Sequence, residues 1–166
     1  MTVLGVGSQG IVFLKDKVAI KRTITDNQTI KKEYQHLVNI NSRLFEHPNI
    51  VKVHNFYNDS YSMEYLEGYK ELENAFIDAL TIEQKKSIFN QVYETMKDLH
   101  EINYVHGDLR MFSNIMYNEK LNNVKLIDFG YCENLSGTDT KTSLELIKRD
   151  YKHLWALKAK LKVQYF

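Results

Sequence analysis

Two aspartates and an asparagine in the back half of the chain are the residues best suited to chemistry. Residues 104 to 117 read Y-V-H-G-D-L-R-M-F-S-N-I-M-Y, and after a turn residues 124 to 130 read V-K-L-I-D-F-G. Asp108 lies in a polar loop after the apolar pair Tyr104-Val105, and Asp128 directly follows the run 124–127. A third run, 115–117, begins right after Asn114. The runs read as three short strands. A carboxylate at a strand end reaches into a cleft while the strand holds it still, which suits metal binding or proton acceptance. Asn114 offers a neutral oxygen between them. Hard oxygens of this kind suit Mg²⁺, which keeps few protein ligands and takes the rest from phosphate and water. The chemistry they would support is phosphoryl transfer.

Something must hold the phosphates, and the front of the chain offers two candidates. Leu4-Gly5-Val6-Gly7-Ser8-Gln9-Gly10-Ile11-Val12 has glycines in the G-x-G-x-x-G pattern. In a dinucleotide fold this pattern opens a helix, but here Ile11-Val12-Phe13-Leu14 follows at once and favours a strand. A glycine turn between two strands lets backbone N–H groups close over phosphate; a plain hairpin turn is the competing reading. After the Asp16-Lys17 turn comes Val18-Ala19-Ile20-Lys21, a strand ending in lysine. Lys21 reads as a solvated edge charge or, in a cleft, as a phosphate ligand. The segment 26–44 is helical, with Ile30, Tyr34, Leu37, Ile40 and Leu44 at helical spacing and Asp26 or Thr29 as cap. Glu33 projects between those positions, either a solvent-facing charge beside Lys31 and Lys32 or the ion-pair partner of Lys21.

Other elements follow from spacing. His47-Pro48 turns into a strand over 50–56, and a second strand covers 61–65. Met63-Glu64-Tyr65-Leu66-Glu67-Gly68 then runs extended to a glycine; it reads as a strand with its loop, or as a connector whose backbone pairs with the edge of adenine. A helix over 81–100 starts at the capping box Thr81-Ile82-Glu83-Gln84 and carries the stripe Ile88, Val92, Met96 and Leu99. Residues 132–142 read as a loop. A last helix over 143–161 has Thr142 and Glu145 as cap partners and Leu144, Ile147, Tyr151, Leu154, Leu157 and Leu161 as its buried face. Trp155 and Tyr151 read as core rather than as a cofactor wall.

Composition bounds the function. At 166 residues the chain is one domain, or two small lobes sharing a cleft. Its net charge of +1, from 22 basic and 21 acidic residues, gives no electrostatic case for nucleic acid or membrane. The single cysteine, Cys132, leaves no intramolecular disulfide and fits a reducing compartment. No apolar run approaches the ~20 residues of a membrane span, and residues 1–10 are too polar for a signal peptide. An intracellular, cytoplasmic protein is expected, and the economy of the chain with its abundant Asn, Lys and Ile suits a virus or a compact genome.

In chain order, G-x-G-x-x-G-x-V, V-A-I-K, a helical glutamate, H-P-N-I-V, M-E-Y-L-E-G, H-G-D-L and D-F-G resemble the protein-kinase signature set over residues 4 to about 157. The resemblance implies an α+β, two-lobed fold. An antiparallel β N-lobe with one helix (1–66) would face a truncated, mainly helical C-lobe (67–166), with ATP and Mg²⁺ between them. Gly5, Gly7 and Gly10 would then cover the phosphates, Lys21 would hold the α- and β-phosphates and pair with Glu33, and Glu64 and Leu66 would present backbone atoms to adenine beside Met63. Val12 and Ala19 complete the implied nucleotide-binding set. Asp108 would accept the substrate hydroxyl proton, Asn114 and Asp128 would hold Mg²⁺, and Arg110 would contact the γ-phosphate.

The departures narrow the family. His106-Gly107-Asp108 stands where most protein kinases have H-R-D, so switching by a phosphate on an activation loop is not implied. No A-P-E follows Asp128, and 36 residues remain after Gly130. These features resemble small atypical kinases, especially the KEOPS-complex kinase and less closely the RIO kinases. In that comparison Asp150 resembles the aspartate that braces the catalytic loop. Asp108 and Asn114 are six residues apart where the family has five; a bulge at Met111-Phe112 absorbs the extra residue, or Ser113 stands in for Asn114. The leading expectation is a minimal Ser/Thr protein kinase with an unidentified protein substrate and room for a partner that completes the C-lobe. The alternatives are a small-molecule kinase of aminoglycoside or choline type and a pseudokinase acting as a binding module.

Overall fold

The computed structural model describes residues 1–164; residues 165 and 166, the end of the expected C-lobe, lie outside the described residues. The first half builds a five-stranded antiparallel sheet. Its strands are β1 (Thr2–Val6), β2 (Gly10–Lys15), β3 (Val18–Thr23), β4 (Val53–Phe56) and β5 (Ser60–Glu64), in the order β1-β2-β3-β5-β4. Asp16 and Lys17 both take positive φ (51° and 63°), the mirror-image turn whose twist matches the strands it joins. Helix α1 (Asn27–Arg43) starts where the Asp26 carboxylate accepts the Thr29 N–H at 2.8 Å. Ile30, Glu33, Leu37 and Ile40 share its buried face, so helical spacing delivers a carboxylate into the core beside the sheet.

The expected strand over 50–56 is shorter, because only Val53–Phe56 pairs with β5. Ile50 and Val51 are both buried, which a strand with one solvated face does not allow for neighbours. Their backbone turns instead to the second half of the chain. Ile50 bridges Leu126 in parallel, and Val51 N–H donates to the Leu126 carbonyl at 3.1 Å.

The second half contains β6 (Lys70–Glu71), α2 (Asn74–Ala79), α3 (Ile82–Glu101), β7 (Tyr104–Val105), β8 (Ile115–Asn118), β9 (Asn123–Leu126), β10 (Glu133–Asn134) and α4 (Thr140–Leu161). Strands β6, β8 and β9 form one small sheet and β7 pairs with β10 in another. The capping box of α3 forms as its sequence predicts, with Thr81 Oγ1 accepting Gln84 N–H at 3.1 Å and Gln84 Oε1 accepting Thr81 N–H at 2.8 Å. Its stripe Ile88, Val92, Met96 and Leu99 is buried in the same core as Leu154, Leu157 and Leu161 of α4.

Helix α4 differs from its expected form in three ways. It begins at Thr140, because Asp139 rather than Thr142 supplies the cap by accepting Thr142 N–H at 2.9 Å. The loop expected over 132–142 therefore gives up residues to the helix at one end and to β10 at the other. Leu144 is exposed, and the buried stripe of α4 starts only at Asp150. Trp155 is not core either: it is 48% exposed and stacks on Phe89 from outside, with Lys158 over its ring.

Candidate active site

Lys21 is the crossing point of the site. Its Nζ donates to Glu33 Oε1 at 2.8 Å and to Asp128 Oδ1 at 3.0 Å, tying β3 to α1 and to the segment after β9. Lys21 is 6% exposed and Glu33 2%, so neither is the solvated charge that sequence also permitted. Burial alone would lower the Lys21 ammonium, but Glu33 and then Asp128 raise it above its ordinary value. Glu33 Oε1 also accepts the Tyr61 hydroxyl at 3.0 Å, and burial with that neighbour pushes the phenol well up. Burial would raise the Asp128 carboxyl, yet Lys21 and the Gly130 N–H hold it below the usual value.

Asp108 is held by its own loop. Its Oδ1 accepts from Arg110 Nε at 3.0 Å, and Asn114 Nδ2 donates to its carbonyl at 3.0 Å and to Oδ2 at 3.3 Å. A 3₁₀ turn over Phe112–Asn114 lies within the six-residue step from Asp108 to Asn114. The Asn114 amide hydrogens face Asp108, which leaves its carbonyl oxygen as the remaining donor atom for a ligand.

The loop itself is braced from α4 and from the segment that follows β9. Asp150, fully buried, accepts from His100 Nε2, His106 N and Gly107 N, each at 3.0 Å. Burial would raise its carboxyl, but the His100 bond and Gly107 N–H keep it low. His106 Nε2 bonds the Ile127 carbonyl at 3.0 Å while Nδ1 accepts Asp108 N–H at 3.3 Å. Those two partners require the neutral ring with its proton on Nε2, and burial lowers its pKa accordingly.

These residues surround one cleft of about 520 Å³. Gly5, Gly7, Gly10, Val12, Ala19, Lys21, Met63, Glu64, Leu66, Asp108, Asn114 and Asp128 all line it, together with Ser113. Glu33 stands behind Lys21, and Arg110, largely exposed, reaches the site only through Asp108. At Gly5 a Cβ would meet nothing within 4 Å, so neighbouring protein atoms leave that approach open. The donor set of Asp128, the Asn114 oxygen and Lys21 fits a triphosphate carrying a hard divalent ion that keeps most of its ligands from phosphate and water.

Some residues at the site carry no signal of their own in the sequence. Lys125, 6% exposed, donates to Glu64 Oε1 at 2.7 Å and to the Ile50 carbonyl at 3.3 Å, fastening β9 to the end of β5. Its neighbours Val124 and Leu126 are buried as well, so alternation along β9 gives no sign that Lys125 is inward. Asn49 Nδ2 ties the His47-Pro48 turn to the Val124 carbonyl at 2.8 Å. Gln9 and Met116 line the cleft without having been anticipated there.

Comparison with known proteins adds the following. Residues 1–152 match the family described as protein kinase domain. The chain is 27% identical over 166 residues to the serine/threonine-protein kinase pak-2 of Caenorhabditis elegans, covering 89% of this chain and 31% of that protein. It is 33% identical over 138 residues to the candidate serine/threonine-protein kinase L670 of Acanthamoeba polyphaga mimivirus, covering 76% and 24%. To human MAP kinase-activated protein kinase 2 it is 26% identical over 160 residues, covering 85% and 38%. The chain thus spans well under half the length of each of these relatives, while the likeness to KEOPS-complex and RIO kinases rests on its motifs alone.

Proposed function

The chain belongs to the protein kinase domain family, and on that premise we propose that it transfers the γ-phosphate of ATP to a Ser or Thr hydroxyl of a protein. The observation that carries this reading is the simultaneous pairing of Lys21 with Glu33 and Asp128 at the wall of the cleft. Residues 1–66 act as one lobe and 67–166 as the other, with the nucleotide between them.

In this reading the base lies against Val12, Ala19 and Met63, and the backbone of Glu64 and Leu66 pairs with its edge. Gly5, Gly7 and Gly10 let the turn approach the phosphates, and Lys21, kept cationic by its two carboxylates, holds phosphate oxygens. Asn114 and Asp128 would hold Mg²⁺, which when bound would offset the negative charge on the phosphate oxygens. Asp108 accepts the proton of the acceptor hydroxyl; the bond from Arg110 to Oδ1 aims the carboxylate, and Arg110 lies close enough to that carboxylate to meet the transferring group. His106 and Asp150 touch no substrate and act by fixing the backbone that presents Asp108.

The test is γ-phosphate transfer from labelled ATP with Mg²⁺ to a panel of protein, aminoglycoside and choline acceptors. Wild type should label protein, Asp128→Ala should be silent, and Asp108→Asn should lose ~10²–10⁴-fold in rate. Undiminished turnover in Asp108→Asn, or labelling of the small acceptors alone, would overturn the reading.

A further inference from the structure

Gln9 has no role in the account above, yet its side chain crosses the cleft. It belongs to the turn between β1 and β2, where its backbone carbonyl accepts Ile24 N–H at 3.3 Å. From there the side chain drops to the opposite wall. A Cβ built on Gly130 would fall on Gln9 Oε1, with Gln9 Cδ at 2.9 Å and Asp128 Oδ1 at 3.3 Å. The carboxamide therefore lies directly on the Gly130 backbone, beside the carboxylate oxygen that Lys21 grips. Any side chain at residue 130 would evict it.

Gln9 Oε1 is buried and has no hydrogen-bond partner among the described residues. A buried carbonyl oxygen without a donor has lost water and gained nothing, so such atoms are few in native proteins. The nearest cation does not relieve it, since Lys21 Nζ is directed to Glu33 and Asp128. Asp128 Oδ1 borders the same Cβ position of residue 130, so both oxygens belong to one corner of the cleft. Asp128 Oδ1 has Lys21 and the Gly130 N–H as partners, whereas Gln9 Oε1, at the same end of the cleft, wants a positive partner that is not part of the protein.

We propose that Gln9 is a binding residue for the hydrated divalent cation that accompanies the nucleotide, supplying an oxygen from the glycine turn to complement that of Asp128. This rests on the nucleotide cleft proposed above. It gives the turn a direct reason to close only over a metal-loaded nucleotide, because the backbone N–H groups of the turn recognise phosphate with or without the cation.

The test is calorimetric titration of ATP, with Mg²⁺ and with chelator, into wild type, Gln9→Leu and Gln9→Glu. Leucine keeps the packing on Gly130 and removes the oxygen, whereas glutamate keeps an oxygen. Gln9→Leu should weaken Mg²⁺–ATP binding by roughly 3- to 10-fold, the worth of one polar contact, and leave metal-free ATP binding unchanged. Gln9→Glu should retain the Mg²⁺ dependence. Equal Mg²⁺–ATP affinity in Gln9→Leu and wild type, or equal losses with and without metal, would overturn the role of Gln9 and leave the cleft assignment standing. Wild type that binds no ATP under either condition would overturn both.

Discussion

At residue 107 the chain has no freedom to carry a side chain. Gly107 has φ of 84°, its N–H is held by Asp150, and a Cβ there would strike the Tyr131 carbonyl and approach Arg149 Nη2 to 3.3 Å. The glycine that replaces the arginine of H-R-D is thus a packing requirement here, with the β10 side of the molecule and Arg149 of α4 filling the space. Gly107→Ala should destabilise by at least ~1–2 kcal/mol from the left-handed backbone alone. For a chain of this size that lowers the melting temperature by roughly 2–4 °C per kcal/mol. An unchanged melting curve would mean that the loop can move away from Tyr131.

Among the elements, α3 is the clearest case of local sequence fixing local structure. Thr81 and Gln84 satisfy each other's backbone donors at its start, and neither lines the cleft. Thr81→Ala should cost about 1 kcal/mol, read as a drop in denaturant midpoint, with ATP binding unaffected. A loss of binding would show that α3 transmits strain to Asp108. Elements joined through side chains behave differently. The β5 and β9 strands meet through Lys125 and Glu64, and α4 meets the Asp108 loop through Asp150, so the position of each depends on partners distant in sequence.

For the whole molecule the buried charges set an acid limit. Asp128 and Asp150 are held below the ordinary 3.8, and burial holds His106, His36 and His153 below the ordinary 6.5. In every case the unfolded chain takes up the proton first. The stability they contribute is full above about pH 6.5 for the histidines, is lost as pH falls toward their folded values, and falls again below 3.8 as the aspartates protonate. Urea midpoints should fall from pH 7 to 5 and again below pH 4. A flat midpoint between pH 7 and 5 would mean that the histidines ionise without leaving their sites.

The sequence by itself determined α1 and α3 with their caps, the body of α4 though not its cap, the β2–β3 hairpin, the glycine turn and the order of the motifs. Those depend on spacing and on residues a few positions apart, and the D-F-G and H-G-D strings carried the family with them. Without the family resemblance it left Lys21 and Glu33 readable as surface charges, and it put Trp155 in the core and extended β4 through Ile50 and Val51. Only the tertiary structure decided these, because burial and pairing are set by what arrives from far along the chain. Asp128 lies 107 residues from the lysine it holds charged, and the Leu126 backbone that captures Val51 belongs to a strand that Val51 cannot see in its own neighbourhood.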